Sequence, residues 1–282
     1  MAWITMFSFT LISPLNGSRA IEAQLRNGVQ VLFSETSDQT DYGYQYWSTE
    51  NVADFTFQSG QDLVVREQFE SCGFLANTND TDYRAISDDC PAFGLAIDLG
   101  SISTTTISTI FSIGLAQEEA IQFGGETSVI PVSFFHSDYA SSSSISSALD
   151  AIFASDSLAS GGQDYLTITS PSLRQTFGAA QLAGNLTKQY LFLKQVSSDG
   201  NVQTVGVIFP AFSAFICTNP GLLKLLLDPL YENQEFGQYP NKYSMHDLGS
   251  NYPNATGYPL GNDEYLPLEE CGNMLIMTLV YA

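Results

Sequence analysis

The hydrophobic period changes once along the 282 residues, beside a run of four serines at Ser141–Ser144, and that change limits the folds open to the chain. Upstream, β-branched and aromatic runs are separated by Gly, Asn, Asp and Ser: Val29–Phe33, Asp41–Thr49, Val52–Phe57, Leu63–Phe69, Phe93–Leu99, Ser103–Leu115 and Val129–Phe135. This spacing predicts an antiparallel β-sandwich. Met1–Ile12 reads as a core strand more than a signal peptide, since no Lys or Arg precedes Arg19. Tyr42, Tyr44 and Tyr46 alternate with other residues along one strand and are expected to cover a core. Downstream, Leu173–Ala183, Gln189–Val196, Phe209–Cys217 and Leu222–Tyr231 read as buried helices, with Pro171, Pro210, Pro220 and Pro229 near their ends. The expected fold is therefore α+β and multidomain: a sandwich over 1–140, a linker or crossover over 141–160, and a helical domain over 161–282.

Charge narrows the function classes. Nine Lys and Arg stand against 30 Asp and Glu, a formal net charge of −21. Such a chain repels phosphate backbones and anionic lipid, which argues against nucleic-acid and membrane-surface partners. No run reaches the ~18 to 20 apolar residues of a spanning helix. Only 14% of residues are charged, so uncharged polar side chains must carry much of the solubility, a balance that suits a secreted protein. The sequons at Asn16, Asn79, Asn185 and Asn254 point the same way. Cys72, Cys90, Cys217 and Cys271 lack the paired spacing of a zinc site. They read as buried thiols, with a Cys72–Cys90 bridge as the alternative.

The densest signal for chemistry is HDLGSNYPNATGYPLGNDEYLPLEECGN, His246 to Asn273. A loop of this length before a buried helix is usually functional or disordered, and its prolines and glycines favour tight folding. Glu269 and Glu270 fall at the N-terminus of that helix. The helix dipole lowers the pKa of a carboxylate there, whereas crowding between the two raises one of them. Split carboxylates suit general acid and base work, and the competing reading is helix capping by solvated acids. His246-Asp247 is a candidate dyad, weakened by the tendency of adjacent residues to face apart, and His136 stands isolated in a predicted strand. Asp247 and Asp263 with loop carbonyls are an alternative calcium site. No resident metal or cofactor is expected.

HDLGSNYPNATG followed by EECGNMLIMTLVYA resembles the fungal glutaminase A family, secreted hydrolases that convert L-glutamine to glutamate and ammonia. RAISDDCPAFGLAIDLGSIS, SLRQTFGA and LLKLLLDPLYEN extend the resemblance in the family's order. It implies a β-sandwich followed by an (α/α)6 six-hairpin toroid, a fold also used by glycoside hydrolases. The residues after 160 are too few for that ring, which at ~11 to 12 residues per helix plus loops needs about 200. The almost wholly apolar Asn273–Ala282 ends without a cap, so the chain is expected to be a fragment of the toroid enzyme. Amide hydrolysis would draw its acid and base from Asp247, Glu269 and Glu270, with Glu269 the first choice of the adjacent pair. Tyr252, Asn254 and Asn273 are candidate substrate contacts. Arg174 and Lys194, in stretches resembling the family's first toroid helices, are candidates for the substrate carboxylate. A sugar-cleaving enzyme of the same fold and a non-enzymatic truncated product are the competing functions.

Overall fold

The computed structural model describes residues 7–12, 20–27, 31–36, 39–40, 42, 44–50, 52–82, 84, 88–101, 111–116, 119–123, 139–184, 187–195 and 199–282. They form two compact units: one drawn from 1–32, 41–117 and 133–139, the other from 33–40, 118–132 and 140–282.

In the first unit, strands β1 (Phe7–Ile12), β2 (Ala20–Asn27), β5 (Tyr44–Glu50) and β8 (Phe111–Ala116) make an antiparallel sheet in the order β1-β2-β5-β8. A second antiparallel pair joins β6 (Phe55–Gln61) to β7 (Pro91–Ile97), with Phe57 opposite Leu95. Helix α1 (Asp62–Cys72) packs on this pair through Val65. Leu63–Phe69 was expected as a strand and is helical instead. Asp62 and Arg66 pair one turn apart, and Gly73, at φ 74°, closes the helix by donating its N–H to Phe69 O. These local signals outweigh the two adjacent valines. Val52–Asp54 is a turn before β6, and Leu32–Phe33 is also a turn. The predicted strand 129–135 and His136 lie outside the described residues, as do Asn16 and Asn185. The side chains of Tyr44 and Tyr46 are likewise undescribed, whereas Tyr42 is buried.

The second unit holds short pairs, β3 (Glu35–Thr36) with β4 (Gln39–Thr40) and β9 (Gln122–Phe123) with β12 (Asn254–Ala255), the latter parallel. Helix α2 (Tyr139–Gly178) is interrupted at Gly162, whose φ of 72° is not helical. Residues 141–160, expected as a linker or crossover, lie in its first run. The unit continues as a hairpin of β10 (Ala180–Gly184) and β11 (Gln189–Leu193), then α3 (Val205–Thr218), α4 (Pro220–Glu235) and α5 (Pro267–Tyr281). The hairpin corrects two expectations: Leu173–Ala183 leaves the helix at Gly178, and Gln189–Val196 begins as a strand. A short apolar run such as Tyr190–Leu193, buried throughout, has no periodicity to separate strand from helix. All four cysteines are free. Cys72, Cys90 and Cys217 are exposed and Cys271 half-buried, so the reading of buried thiols fails.

The core lies between β11 and the three last helices, with Phe192, Val205, Ile208, Phe215, Leu223, Leu226, Leu230 and Met277 almost fully buried. Gln203 joins its layers from a fully buried position. Its amide donates to Leu191 O at 3.1 Å and Leu226 O at 2.6 Å, and its carbonyl accepts from Leu193 N. Leucine fits that volume but serves none of the three backbone groups, each costing about 1–3 kcal/mol when left unmade. Gln203→Leu is therefore expected to destabilise the unit by about 3 kcal/mol or more. An unfolding free energy from denaturant titration within about 1 kcal/mol of wild type, the scale of one ordinary hydrogen bond, would contradict this.

Candidate functional site

The segment before α5 folds back across the start of α3, and main-chain bonds fix it there. Leu248 N donates to Val202 O and Val202 N to Gly249 O, both at 2.8 Å, while Val205 N donates to His246 O at 2.9 Å. His246 is thereby set against the first turn of α5, which begins with Pro267, a residue that loses no helical hydrogen bond at that position.

His246 is the hub. Its Nδ1 lies 2.7 Å from Asp247 Oδ2, and its Nε2 lies 3.6 Å from Glu264 Oε2 and 3.9 Å from Glu270 Oε1. The adjacent His246 and Asp247 do face each other, against expectation. The facing-apart tendency belongs to extended strands, and this stretch is neither strand nor helix. Asp247 Oδ1 accepts from Gly249 N at 2.7 Å, a turn closed by the side chain, and from Tyr258 OH at 2.8 Å. Asp263 Oδ2 accepts from His246 N at 2.9 Å, and both Asp263 oxygens accept from Tyr239 OH. The two aspartates weighed as calcium ligands thus spend their oxygens on N–H and O–H donors.

Glu269 and Glu270 part at the helix entrance: Glu269 is exposed and Glu270 is 1% exposed. Asn273, one turn on and also buried, lies with its Nδ2 3.5 Å from Glu270 Oε2. Glu270 Oε1 has no hydrogen-bond partner among the described residues. Burial raises the Glu270 pKa to about 7, with the Glu269 charge adding to the rise; His246, Asn273 and the Gly206 amide oppose it. Desolvation therefore outweighs the helix dipole expected to hold a carboxylate ionised here. The hydrogen bond that His246 donates to Asp247 raises the His246 pKa above its usual 6.5, and the nearby carboxylates reinforce the rise against desolvation.

The structure thus gathers Asp247, Glu270 and Asn273 with His246, and places the other candidates differently. Tyr252 donates its hydroxyl to Gln181 of β10, its pKa is pushed up to about 12 by burial, and Lys194 Nζ lies 5.2 Å from its ring centroid. Lys194 follows strand β11 and bridges to Val202, so it is not the helical residue expected. Asn254 spends its amide on Phe33 O and Asn251 O, at 3.2 and 3.1 Å. Arg174 is exposed on α2. Sequence reasoning assigned no role to Glu264 or Tyr258, which the structure places against His246 and Asp247. An Asp two residues before Gly was the available sign that Asp247 is turned inward.

Comparison with known proteins gives this geometry a family. A family model described as the Glutaminase A six helical-hairpin domain matches residues 162–282, and a domain of unknown function, DUF5127, matches 13–156. The chain is 51% identical over 269 residues to Glutaminase A of Aspergillus oryzae, an alignment covering 90% of this chain. The chain belongs to the glutaminase A family. It is also 36% identical over 286 residues, 93% of its length, to a probable glutaminase of Arthroderma benhamiae. It spans 39% and 33% of the lengths of these two relatives. No solved structure matches it. The whole His246 cluster falls within the segment matched by the glutaminase A domain.

Proposed function

We propose that this chain carries the acid-base centre of an amidohydrolase that converts L-glutamine and water to L-glutamate and ammonia. The observation that carries the reading is the position of the Asp247–His246–Glu270 cluster inside the stretch matched by the Glutaminase A six helical-hairpin domain. Amide hydrolysis needs a base for the attacking water and an acid for the departing nitrogen. Glu270 takes the proton as the water oxygen bonds to the carboxamide carbon. The His246 imidazolium, oriented and held charged by Asp247, gives the Nε2 proton to nitrogen as the C–N bond breaks. A carboxyl with pKa near 7 is matched to this exchange at neutral pH. Asn273 and the Gly206 amide steady the Glu270 carboxylate.

The fold that accompanies this reading is a β-sandwich followed by a six-hairpin toroid, divided around 141–160, in a secreted protein. The six helical-hairpin match and the two antiparallel sheets of the first unit support it. The exposed sequon Asn79 suits secretion, whereas the amide of Asn254 is already used by backbone carbonyls.

The test is ammonia release from L-glutamine by the 282-residue chain and by the longest reading frame that contains it, with aryl glycosides as the competing substrate. kcat/KM is expected to rise as pH passes upward through about 7, where Glu270 loses its proton, and to fall where His246 loses its own. Glycoside cleavage without ammonia release, or a profile flat across this range, would refute the assignment.

A further inference from the structure

The negative charge around His246 exceeds what the site's chemistry uses. Glu264 and Glu270 reach the same imidazole nitrogen from different segments, at 3.6 and 3.9 Å, while Asp247 already occupies the other. Glu269 adds a fourth carboxylate. Its Oε1 and that of Glu270 both lie within 4 Å of the point where a Cβ on Gly206 would stand, at 3.8 and 3.4 Å. No Lys or Arg pairs with Glu264, Glu269 or Glu270 among the described residues, so one imidazolium faces four acids. An acidic cluster by itself is ordinary solvated surface. Here, however, Glu270 is 1% exposed and its Oε1, beside Nε2, has no hydrogen-bond donor among the described residues. A buried carboxylate oxygen without a donor is costly and marks a place that a ligand's N–H or O–H groups complete.

We infer that Glu264 and Glu269 form the rim of a subsite for a primary ammonium, the α-ammonium of the amino-acid substrate, next to the buried oxygen of Glu270. The inference rests on the amidohydrolase reading for the identity of the substrate and adds the part of the molecule these residues hold. The side chain of Glu264 is 65% exposed, so it lies where the cluster meets solvent and is free to close on a cation. A primary ammonium offers three donors on a compact charge, which several carboxylate oxygens converging on one place can share. The substrate's carboxamide then lies towards Glu270 and His246.

The test compares L-glutamine with 4-carbamoylbutanoate, which has the same carboxamide and carboxylate but no amino group. Wild type is expected to prefer glutamine by roughly 10- to 100-fold in kcat/KM, the range of one or two charge-assisted hydrogen bonds. Glu264→Gln is expected to shrink that preference to a few-fold through a raised KM for glutamine. Equal use of both amides by wild type, or an unchanged preference in Glu264→Gln and Glu269→Gln alike, overturns the inference while leaving the amidohydrolase reading in place. A second measurement needs no turnover. The chain has two histidines, so the imidazole NMR signals of His246 are assignable with one variant. They are expected to shift on adding glutamine but far less with 4-carbamoylbutanoate. That result without ammonia release would refute the amidohydrolase reading and keep the ammonium subsite. No shift with glutamine, or an equal shift with ammonium chloride, would overturn the subsite.

Discussion

Glu270→Gln is expected to make the protein more stable at pH 8 while removing most of its turnover, by about 10²- to 10⁴-fold if Glu270 is the base. The two effects have one cause. The Glu270 pKa stands at about 7 in the folded protein against 4.5 for an unperturbed glutamate, because burial disfavours its charge. A group whose folded pKa is raised contributes stability that is fully present below the unfolded value and is lost as pH climbs through the folded one. Between pH 4.5 and 7 the folded chain keeps a proton that the unfolded chain releases. Above that window the ionised carboxylate remains buried at a cost on the order of 3 kcal/mol. Glutamine removes that charge and retains an oxygen for the Gly206 amide and Asn273. At 2–4 °C per kcal/mol for a domain of this size, the variant should melt about 5 °C or more above wild type at pH 8, with the difference vanishing near pH 5. A variant that melts below wild type at pH 8, or a difference independent of pH, would show that Glu270 is not held under this strain. Glu269→Gln supplies the contrast: Glu269 is exposed, so its removal should leave the melting profile much nearer to wild type.

The parts of this site that were legible in the sequence are those set by residue type and by long apolar helices. Acidic residues crowded into one Pro- and Gly-punctuated segment marked the place, and the buried faces of Leu222–Tyr231 and Phe209–Cys217 marked α4 and α3. What was not legible depends on tertiary burial. Glu269 and Glu270 are the same residue at adjacent positions. Only the docking of α5 on α3 makes one of them a buried group with a shifted pKa and leaves the other in solvent. In the same way, QYLFL carries no period of its own, and the partner strand Ala180–Gly184 decides that it is extended. His246 was undervalued because a rule for strands was applied to a turn. The bond from Gly249 N to Asp247 Oδ1 aims that aspartate back at its neighbour, and a one-dimensional reading sees the Asp and the Gly but not the bond.

Asp247→Asn isolates the contribution of that bond network. Asp247 is 1% exposed and gives His246 Nδ1 an acceptor, so the ring is held with a proton on that nitrogen and its pKa is raised. Asparagine can keep the contacts with Gly249 N and Tyr258 OH through its carbonyl, but it then turns its NH₂ towards Nδ1. The ring must accept there and carry its single proton on Nε2. The leading cause of the raised pKa is gone, along with the charge, so His246 should titrate below its usual 6.5 and be neutral at pH 7. If the imidazolium is the acid for the leaving nitrogen, turnover falls by roughly 10²- to 10⁴-fold, and the loss eases as the pH is lowered. Linkage gives an independent sign. In wild type, the raised His246 pKa contributes stability that is present below pH 6.5 and lost as pH rises through the raised value, and in Asp247→Asn this contribution is absent. The variant should therefore lose more stability relative to wild type at pH 6 than at pH 9. Imidazole NMR separates this from simple misfolding: a folded variant whose His246 still titrates above 6.5 would remove Asp247 from any role in holding the proton. Near wild-type ammonia release with a lowered His246 pKa would instead remove the imidazolium from the chemistry, leaving Glu270 as the group that must both take and return the proton.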